Sequence, residues 1–223
     1  MRIVIVGQGW MGAEVLKLCL KRGDEVIKTL APGAGDNGEY DRLAAAAMQA
    51  GIPVEVCGKR VEAAHIPTGI GLILAAHAHA YITRGAREAA RLGALGYHPS
   101  LLPRHRGRDA VRWTIHMRDP IAGGTVYWLD DGADTGLIAA QDWCHILPDD
   151  DARALWRRDL APMGLRLFEK VLADIDRGVI KARPQIDAVA TWEPAFCPDP
   201  KWRAMRPEPL SALERPTQGN FCP

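Results

Sequence analysis

One histidine is a candidate for chemistry because of its position between a predicted strand and a stiff loop. His98 comes two residues after the end of an apolar run, residues 93–96, which predicts a short buried strand. The loop after His98, up to Gly107, contains Pro99 and Pro103, which forbid regular structure and stiffen it. Open α/β sheets place their reactive groups in a crevice at the ends of strands. His98 is therefore a candidate catalytic residue. The alternative is a loop histidine whose hydrogen bonds are satisfied locally.

The first glycines of the chain form a second candidate site. Gly7, Gly9 and Gly12 match Gly-x-Gly-x-x-Gly between the first predicted strand and the first predicted helix. Backbone amides at such a helix N-terminus bind phosphate groups. One interpretation is therefore an NAD(P) site, and a second is a site for another anion. A dinucleotide site also needs an acidic residue after the second strand, where residues 29–31 are Thr-Leu-Ala. The third interpretation is a tight turn whose glycines only permit close packing.

Two further histidines, His77 and His79, come after the apolar run of residues 71–76. Residues two apart share one face of an extended strand, which gives the pair the spacing of a His-x-His metal site. No third ligand is near them in the sequence, although a metal centre needs three or four. We therefore predict no metal and interpret both histidines as strand-end residues that line the crevice.

The order of the predicted elements indicates a doubly wound α/β fold with three layers and a mostly parallel sheet. The chain opens as strand, glycine loop, helix and strand. The predicted strands are residues 2–6, 25–30, 54–56, 71–76, 93–96, 124–129 and 137–143, the last two antiparallel if they form a hairpin. The predicted helices are residues 14–21, 40–50, 59–64, 84–91 and 109–116, and a long helix that begins after Asp151. Residues 1–182 are predicted to form the catalytic domain. Residues 183–223 are predicted to form an extended tail that packs on the domain or on a partner.

Composition excludes several classes of partner. The chain has 223 residues, of which 48% are hydrophobic, enough for one sizeable core. A net charge of +1 selects neither nucleic acid nor a membrane surface, and no apolar run is long enough to span a bilayer. The five cysteines include no Cys-x-x-Cys pair, which favours reduced thiols and a cytoplasmic protein.

Two motifs carry a resemblance to a known family. Residues 98–107 read His-Pro-Ser-Leu-Leu-Pro-x-x-Arg-Gly, which resembles the signature of the folate-dependent formyltransferases. Residues 130–136, Asp-Asp-Gly-Ala-Asp-Thr-Gly, resemble the Asp-Gly-x-Asp-Thr-Gly loop of the same family. The longer run 97–107 is most similar to the hydrolase domain of the 10-formyltetrahydrofolate dehydrogenases in this family. The resemblance runs from Met1 to about Trp192. It implies a Rossmann-like formyltransferase fold and 10-formyltetrahydrofolate as the formyl donor.

The resemblance also implies roles for individual residues. His98 and Asp134 correspond to a catalytic pair, and a histidine with an aspartate meets the minimum need of formyl transfer. Folate contacts are implied in three loops, each of which comes after a predicted strand: Ala80, Tyr81, Ile82, Ser100, Leu101, Leu102, Pro103 and Asp131. We expect the C-terminal ends of those strands to share one edge of the sheet.

One position departs from the transferases of the family. They have a catalytic asparagine two residues before the histidine, where this chain has Gly96, and the hydrolase domain also lacks the asparagine. One donor to the oxyanion is therefore absent, and we expect space near the carbonyl that water can fill.

Three functions are compatible with these observations. The first is an enzyme that passes the formyl group of 10-formyltetrahydrofolate to an unidentified amine or to water. The second, based on the glycine loop alone, is an NAD(P)-dependent oxidoreductase. The third is a folate-binding protein that has kept the fold of the family and lost its catalytic activity. The predicted partners are a folate and an unidentified formyl acceptor, and a homo-oligomer is compatible with the sequence.

Overall fold

The computed structural model describes residues 1–36 and 38–196 of the chain. The strands in this part are β1 (Arg2–Gly7), β2 (Glu25–Ala31), β3 (Val54–Val56), β4 (Arg60–Val61), β5 (Leu72–Ala76), β6 (Tyr81–Ile82), β7 (Ala94–His98), β8 (Ile121–Trp128) and β9 (Ile138–His145). The α-helices are α1 (Gly9–Lys21), α2 (Arg42–Gln49), α3 (Arg84–Glu88), α4 (Ala110–His116), α5 (Ala152–Leu155) and α6 (Ala161–Asp176). A π-helical segment, Trp156–Leu160, joins α5 to α6.

The central sheet has seven strands in the order β3-β2-β1-β5-β7-β8-β9. The first five of these are parallel to one another, β8 runs antiparallel to β7, and β9 runs antiparallel to β8. Strands β4 and β6 pair in a separate small parallel sheet. The predicted doubly wound, mostly parallel α/β fold is therefore confirmed, and so is the antiparallel hairpin of β8 and β9.

Alternation along β1 divides the core between the two faces of the sheet. Ile3 and Ile5 lie in one buried cluster, which side chains of α1, α2 and α6 complete. Val4 and Val6 lie in the other, together with side chains of α3 and of the small sheet. Successive side chains of a strand point to opposite faces, so both faces of β1 are buried, as a three-layer fold requires.

One local prediction is wrong. The sequence predicts a helix over residues 59–64, but β4 and a 3₁₀ turn, Ala63–His65, occupy this segment. The β-branched Val61 pairs with Ile82 and is fully buried, so tertiary packing decides the conformation there. The strand before the two histidines ends at Ala76, as predicted, and His77 has a φ of 58°. His77 and His79 therefore do not share a strand face. Within residues 1–36 and 38–196 no group of three or more metal-ligating side chains is found.

The described part of the predicted tail returns to the domain. Arg183 bridges to Ile138 at the start of β9, and Trp192 bridges to Arg106. We call residues 183–196 the strap. The division of the chain after residue 182 stays a prediction, and residues 197–223 of the predicted tail lie outside the described residues.

No helix within the described ranges is long and apolar enough to cross a membrane.

Candidate active site

His98 and Asp134, far apart in the sequence, lie together. His98 is the last residue of β7 and is 7% exposed. Its Nδ1 is 3.5 Å from Oδ2 of Asp134, whose side chain is also mostly buried. A carboxylate at this distance from an imidazole orients the ring. The two groups suit proton transfer and the stabilisation of a developing negative charge.

The second nitrogen of the His98 ring is held by the loop after β7. Nε2 is 2.7 Å from the carbonyl oxygen of His105. Since a carbonyl only accepts, Nε2 carries the hydrogen of this bond. Nδ1 is then the ring nitrogen that faces Asp134 and is left to exchange a proton with a substrate.

The Asp134 carboxylate is fixed by one donor on each oxygen. The Tyr127 hydroxyl donates to Oδ1 at 2.5 Å, and the Gly107 amide donates to Oδ2 at 2.7 Å. Asp134 has a φ of 56°, in the left-handed region that non-glycine residues rarely adopt. Its own carbonyl oxygen accepts from the side-chain amide of Gln185 in the strap. Backbone and side chain of Asp134 are thus both held from outside its loop.

The loop that carries Asp134 does not leave the sheet edge that the sequence predicts for it. Because β8 is antiparallel to β7, Trp128 at its end pairs with Leu95 near the start of β7. Residues 129–137 must fold back over one face of the sheet to reach His98. The prediction that the three folate loops leave the sheet at one edge is therefore wrong for this loop.

Ion pairs to α3 hold the outer part of the same loop. Asp131 pairs with Arg84 and with Arg87, the latter at 2.5 Å. These two guanidinium groups lower the pKa of Asp131 to about 2. The Tyr81 hydroxyl lies 3.5 Å from the carbonyl oxygen of Asp131. The structure thus brings two of the predicted folate residues, Tyr81 and Asp131, next to each other.

The strap covers the loop after His98. Arg106 is 1% exposed, and its guanidinium donates to the side chains of Gln185 and Asp187. Its Cζ lies 4.6 Å from the centre of the Trp192 ring. The amide of His105 donates to the Thr191 hydroxyl at 2.8 Å. Because His105 supplies the carbonyl that orients His98, the strap supports the candidate site indirectly.

The glycine loop is filled from within the chain. The Gly9 amide donates to both oxygens of the Asp41 carboxylate, at 3.0 and 2.8 Å. A Cβ on Gly7 would lie 2.0 Å from the Ala76 carbonyl oxygen, and one on Gly12 would lie 3.1 Å from Leu43. These contacts favour the interpretation as a tight turn that permits close packing. The binding of a ligand anion at Gly7, Gly9 and Gly12 stays a prediction.

Comparison with known proteins identifies the family. The sequence profile described as formyl transferase matches residues 1–162. This chain belongs to the formyl transferase family. It is 34% identical over 203 residues to the cytosolic 10-formyltetrahydrofolate dehydrogenase of Xenopus tropicalis, with 87% of the chain covered. It is likewise 34% identical over 202 residues to the mitochondrial 10-formyltetrahydrofolate dehydrogenase of Homo sapiens, with 86% covered. The alignments span 22% of the length of each of these relatives.

Solved structures of formyl transferases share the fold. The glycinamide ribonucleotide transformylase 1 of Symbiobacterium toebii matches with a TM-score of 0.67 at 22% identity, over 83% of this chain and 93% of that one. An N-formyltransferase of Helicobacter canadensis, in complex with folinic acid and dTDP-3-aminofucose, matches with a TM-score of 0.70 at 21% identity. This match covers 86% of the present chain and 70% of the other. The likeness confirms the predicted formyltransferase fold.

The structure places the remaining residues that the family resemblance implied for folate in different surroundings. Ile82 is buried in the core, and Ala80 lines a cavity of about 140 Å³ beside the glycine loop. Ser100 and Leu101 line a second cavity, of about 320 Å³, between the His98 loop, α4 and β8. Leu102 is 3% exposed, and its amide and carbonyl bond to side chains of β8 and β9. Pro103 accepts from the Thr191 amide with its carbonyl oxygen. Their roles in folate binding stay predictions.

Two side chains lie close to Gly96. A Cβ there would lie 2.9 Å from Cδ2 of Leu129 and 3.3 Å from Cε1 of Tyr127. The expected space for water near the reacting carbonyl stays a prediction.

Two residues that build the site lie outside both motifs. Tyr127 in β8 and Gln185 in the strap hold Asp134, together with Gly107 of the first motif. The antiparallel register that places Tyr127 opposite Gly96 points its side chain to the face of His98, but the sequence gives no register between β7 and β8.

Two buried tyrosines allow a test by alkaline titration. Burial raises the pKa of Tyr97 and Tyr127 well above the usual value of 10, and the Asp134 carboxylate raises that of Tyr127 further. Since both phenols keep their protons longer in the folded than in the unfolded chain, the stability they contribute is complete below pH 10 and falls above it. We expect their phenolate absorbance to appear together with alkaline unfolding, as followed by circular dichroism. Full ionisation of all four tyrosines before unfolding would contradict this.

Proposed function

We propose that this chain removes the formyl group of 10-formyltetrahydrofolate and passes it to an amine or to water. The observation that carries the proposal is the buried pair of His98 and Asp134, 3.5 Å apart, in a member of the formyl transferase family. The names of the two dehydrogenases and the folinic acid bound to the Helicobacter canadensis protein support a folate as the donor.

The proposed reaction breaks the bond between the formyl carbon and N10 and forms a bond from that carbon to the acceptor. Attack produces a tetrahedral intermediate whose oxygen carries negative charge and needs a fixed donor. In the proposal, protonated His98 donates from Nδ1 to this oxygen, while Asp134 holds the ring and positions the attacking amine or water. The acceptor loses one proton and N10 gains one, while the intermediate oxygen gives its proton back to His98 as the carbonyl re-forms, so His98 ends in its starting state.

The held geometry of the pair supports this assignment. The bond from Nε2 to the His105 carbonyl prevents the ring from turning, so Nδ1 faces the same direction in every cycle. The donors on Asp134 prevent its carboxylate from turning away. Groups held in advance of the reaction lower its barrier, because no reorganisation is needed when the charge develops.

Both products of the reaction can be measured. We expect the full chain to convert 10-formyltetrahydrofolate to tetrahydrofolate, measured by absorbance. Formate appears in equal amount if water is the acceptor. With an amine acceptor, mass spectrometry of a mixture with glycinamide ribonucleotide and amino-sugar nucleotides detects a formylated product instead. Folinic acid should raise the melting temperature, whereas NADH and NADPH at the same concentration should not. A chain that neither binds folinic acid nor forms tetrahydrofolate does not have this function.

A further inference from the structure

Gly96 and Tyr127 form a cross-strand pair at the centre of the site. They are register partners in the antiparallel ladder of β7 and β8. A Cβ built on Gly96 would lie 3.3 Å from Cε1 and 3.4 Å from Cζ of the Tyr127 ring. The ring can come this close because Gly96 has no side chain. The glycine therefore admits the aromatic ring.

The ring carries its hydroxyl to the candidate catalytic pair. Tyr127 is 6% exposed, and its hydroxyl donates to Oδ1 of Asp134 at 2.5 Å. An ionised carboxylate only accepts hydrogen bonds, so the direction of this bond is fixed. With the Gly107 amide on Oδ2, the two donors set the plane of the carboxylate and turn Oδ2 toward His98.

A neighbouring tyrosine shows what an ordinary buried hydroxyl does in this fold. Tyr97, the next residue of β7 after Gly96, faces the other side of the sheet and donates to the Leu160 carbonyl at 2.6 Å. This acceptor is backbone, and the bond is satisfied without any ionisable partner. The Tyr127 hydroxyl is different because its partner is one member of the pair proposed to do the chemistry.

We propose that Tyr127 is a positioning residue of this site, whose hydroxyl holds the Asp134 carboxylate against His98, and that Gly96 is required to admit its ring. This inference rests on the proposed function, since it gives Tyr127 a role in formyl transfer through Asp134. It goes beyond that function by assigning a task to a residue outside both sequence motifs.

Replacement of each tyrosine by phenylalanine separates positioning from packing. We expect Tyr127→Phe to lower kcat for 10-formyltetrahydrofolate by about tenfold, with little change in KM, because a donor held in the site is lost. Tyr97→Phe is the matched control, since it also removes one buried hydroxyl bond. It should leave kcat unchanged, while the melting temperatures of both variants fall similarly.

A measurement that does not depend on turnover tests the role of Tyr127 separately from the proposed function. In protein labelled with ¹³C at aspartate carboxyl carbons, the Asp134 resonance is assigned by its absence in Asp134→Asn. We expect this resonance to move in Tyr127→Phe and to keep its wild-type position in Tyr97→Phe, because only the first variant loses the hydroxyl bonded to Oδ1. If the wild type has no turnover but the resonance moves, the proposed function is wrong and the hydroxyl still holds the carboxylate. Unchanged kcat and an unchanged carboxyl resonance in Tyr127→Phe would overturn the inference.

Discussion

His98→Ala and Asp134→Ala should each lower the turnover of 10-formyltetrahydrofolate by about 10³-fold, near the middle of the range for a positioned acid or base. The loss of His98 removes the donor to the developing oxyanion. The loss of Asp134 removes the carboxylate that faces Nδ1 of the imidazole, although the Nε2 bond to His105 remains. The measurement is the initial rate of tetrahydrofolate formation.

The double variant distinguishes a pair from two independent groups. Because the two residues act as a unit, His98→Ala combined with Asp134→Ala should be scarcely slower than either single variant. His145→Ala, on the exposed face of β9, is the control histidine and should keep wild-type turnover. Melting temperature and folinic acid binding check that each variant is folded. Wild-type turnover in His98→Ala, or losses that multiply in the double variant, would remove the pair from the mechanism.

The fold was predictable because its signals are local. The β-branched run of β1, the apolar spacing of α1 and the turn between β8 and β9 each lie within a few residues. The prediction for segment 59–64 is wrong because Val61 is buried against a strand some 20 residues away, which local periodicity does not reveal. The candidate catalytic pair was predicted from motifs, and the structure brings His98 and Asp134 within 3.5 Å of each other.

The surroundings of the pair depend on contacts between distant segments. The glycine pattern leaves an anion site open as one interpretation, and the carboxylate that accepts from the Gly9 amide comes from Asp41, 32 residues further along the chain. The direction of β8 decides that the Asp134 loop crosses a face of the sheet and does not extend one of its edges. The strap reaches Asp134 through Gln185, across a separation of 51 residues. Sequence patterns give no register for such contacts, so sequence reasoning missed them.

Gly96→Asn tests the departure from the transferases. The sequence alone left two outcomes open, since an added amide could supply the missing oxyanion donor or could obstruct the site. The structure favours obstruction. Gly96 lies within β7 as a regular strand residue, paired with Ala75 on one side and Tyr127 on the other. Backbone conformation therefore does not require the glycine, and the space that Leu129 and Tyr127 already fill becomes the deciding factor.

We expect Gly96→Asn to slow turnover by about 10²-fold, because a displacement of about 1 Å in a catalytic group has such an effect. The new side chain must push the Tyr127 ring, whose hydroxyl then leaves Asp134. Overpacking of this kind should also lower the free energy of unfolding by roughly 1–3 kcal/mol. Initial rates and chemical denaturation measure the two effects.

A second substitution at the closest contact identifies the cause of the loss. The nearest atom to a Cβ at Gly96 is Cδ2 of Leu129, at 2.9 Å, the end of a flexible side chain. Leu129→Ala in the Gly96→Asn background should therefore recover part of the stability and part of the turnover. The same substitution in the wild-type chain should raise neither. If Gly96→Asn instead raises the rate of transfer to an amine at unchanged stability, the amide has entered the site as an oxyanion donor. The Tyr127 ring would then not need the space that Gly96 leaves.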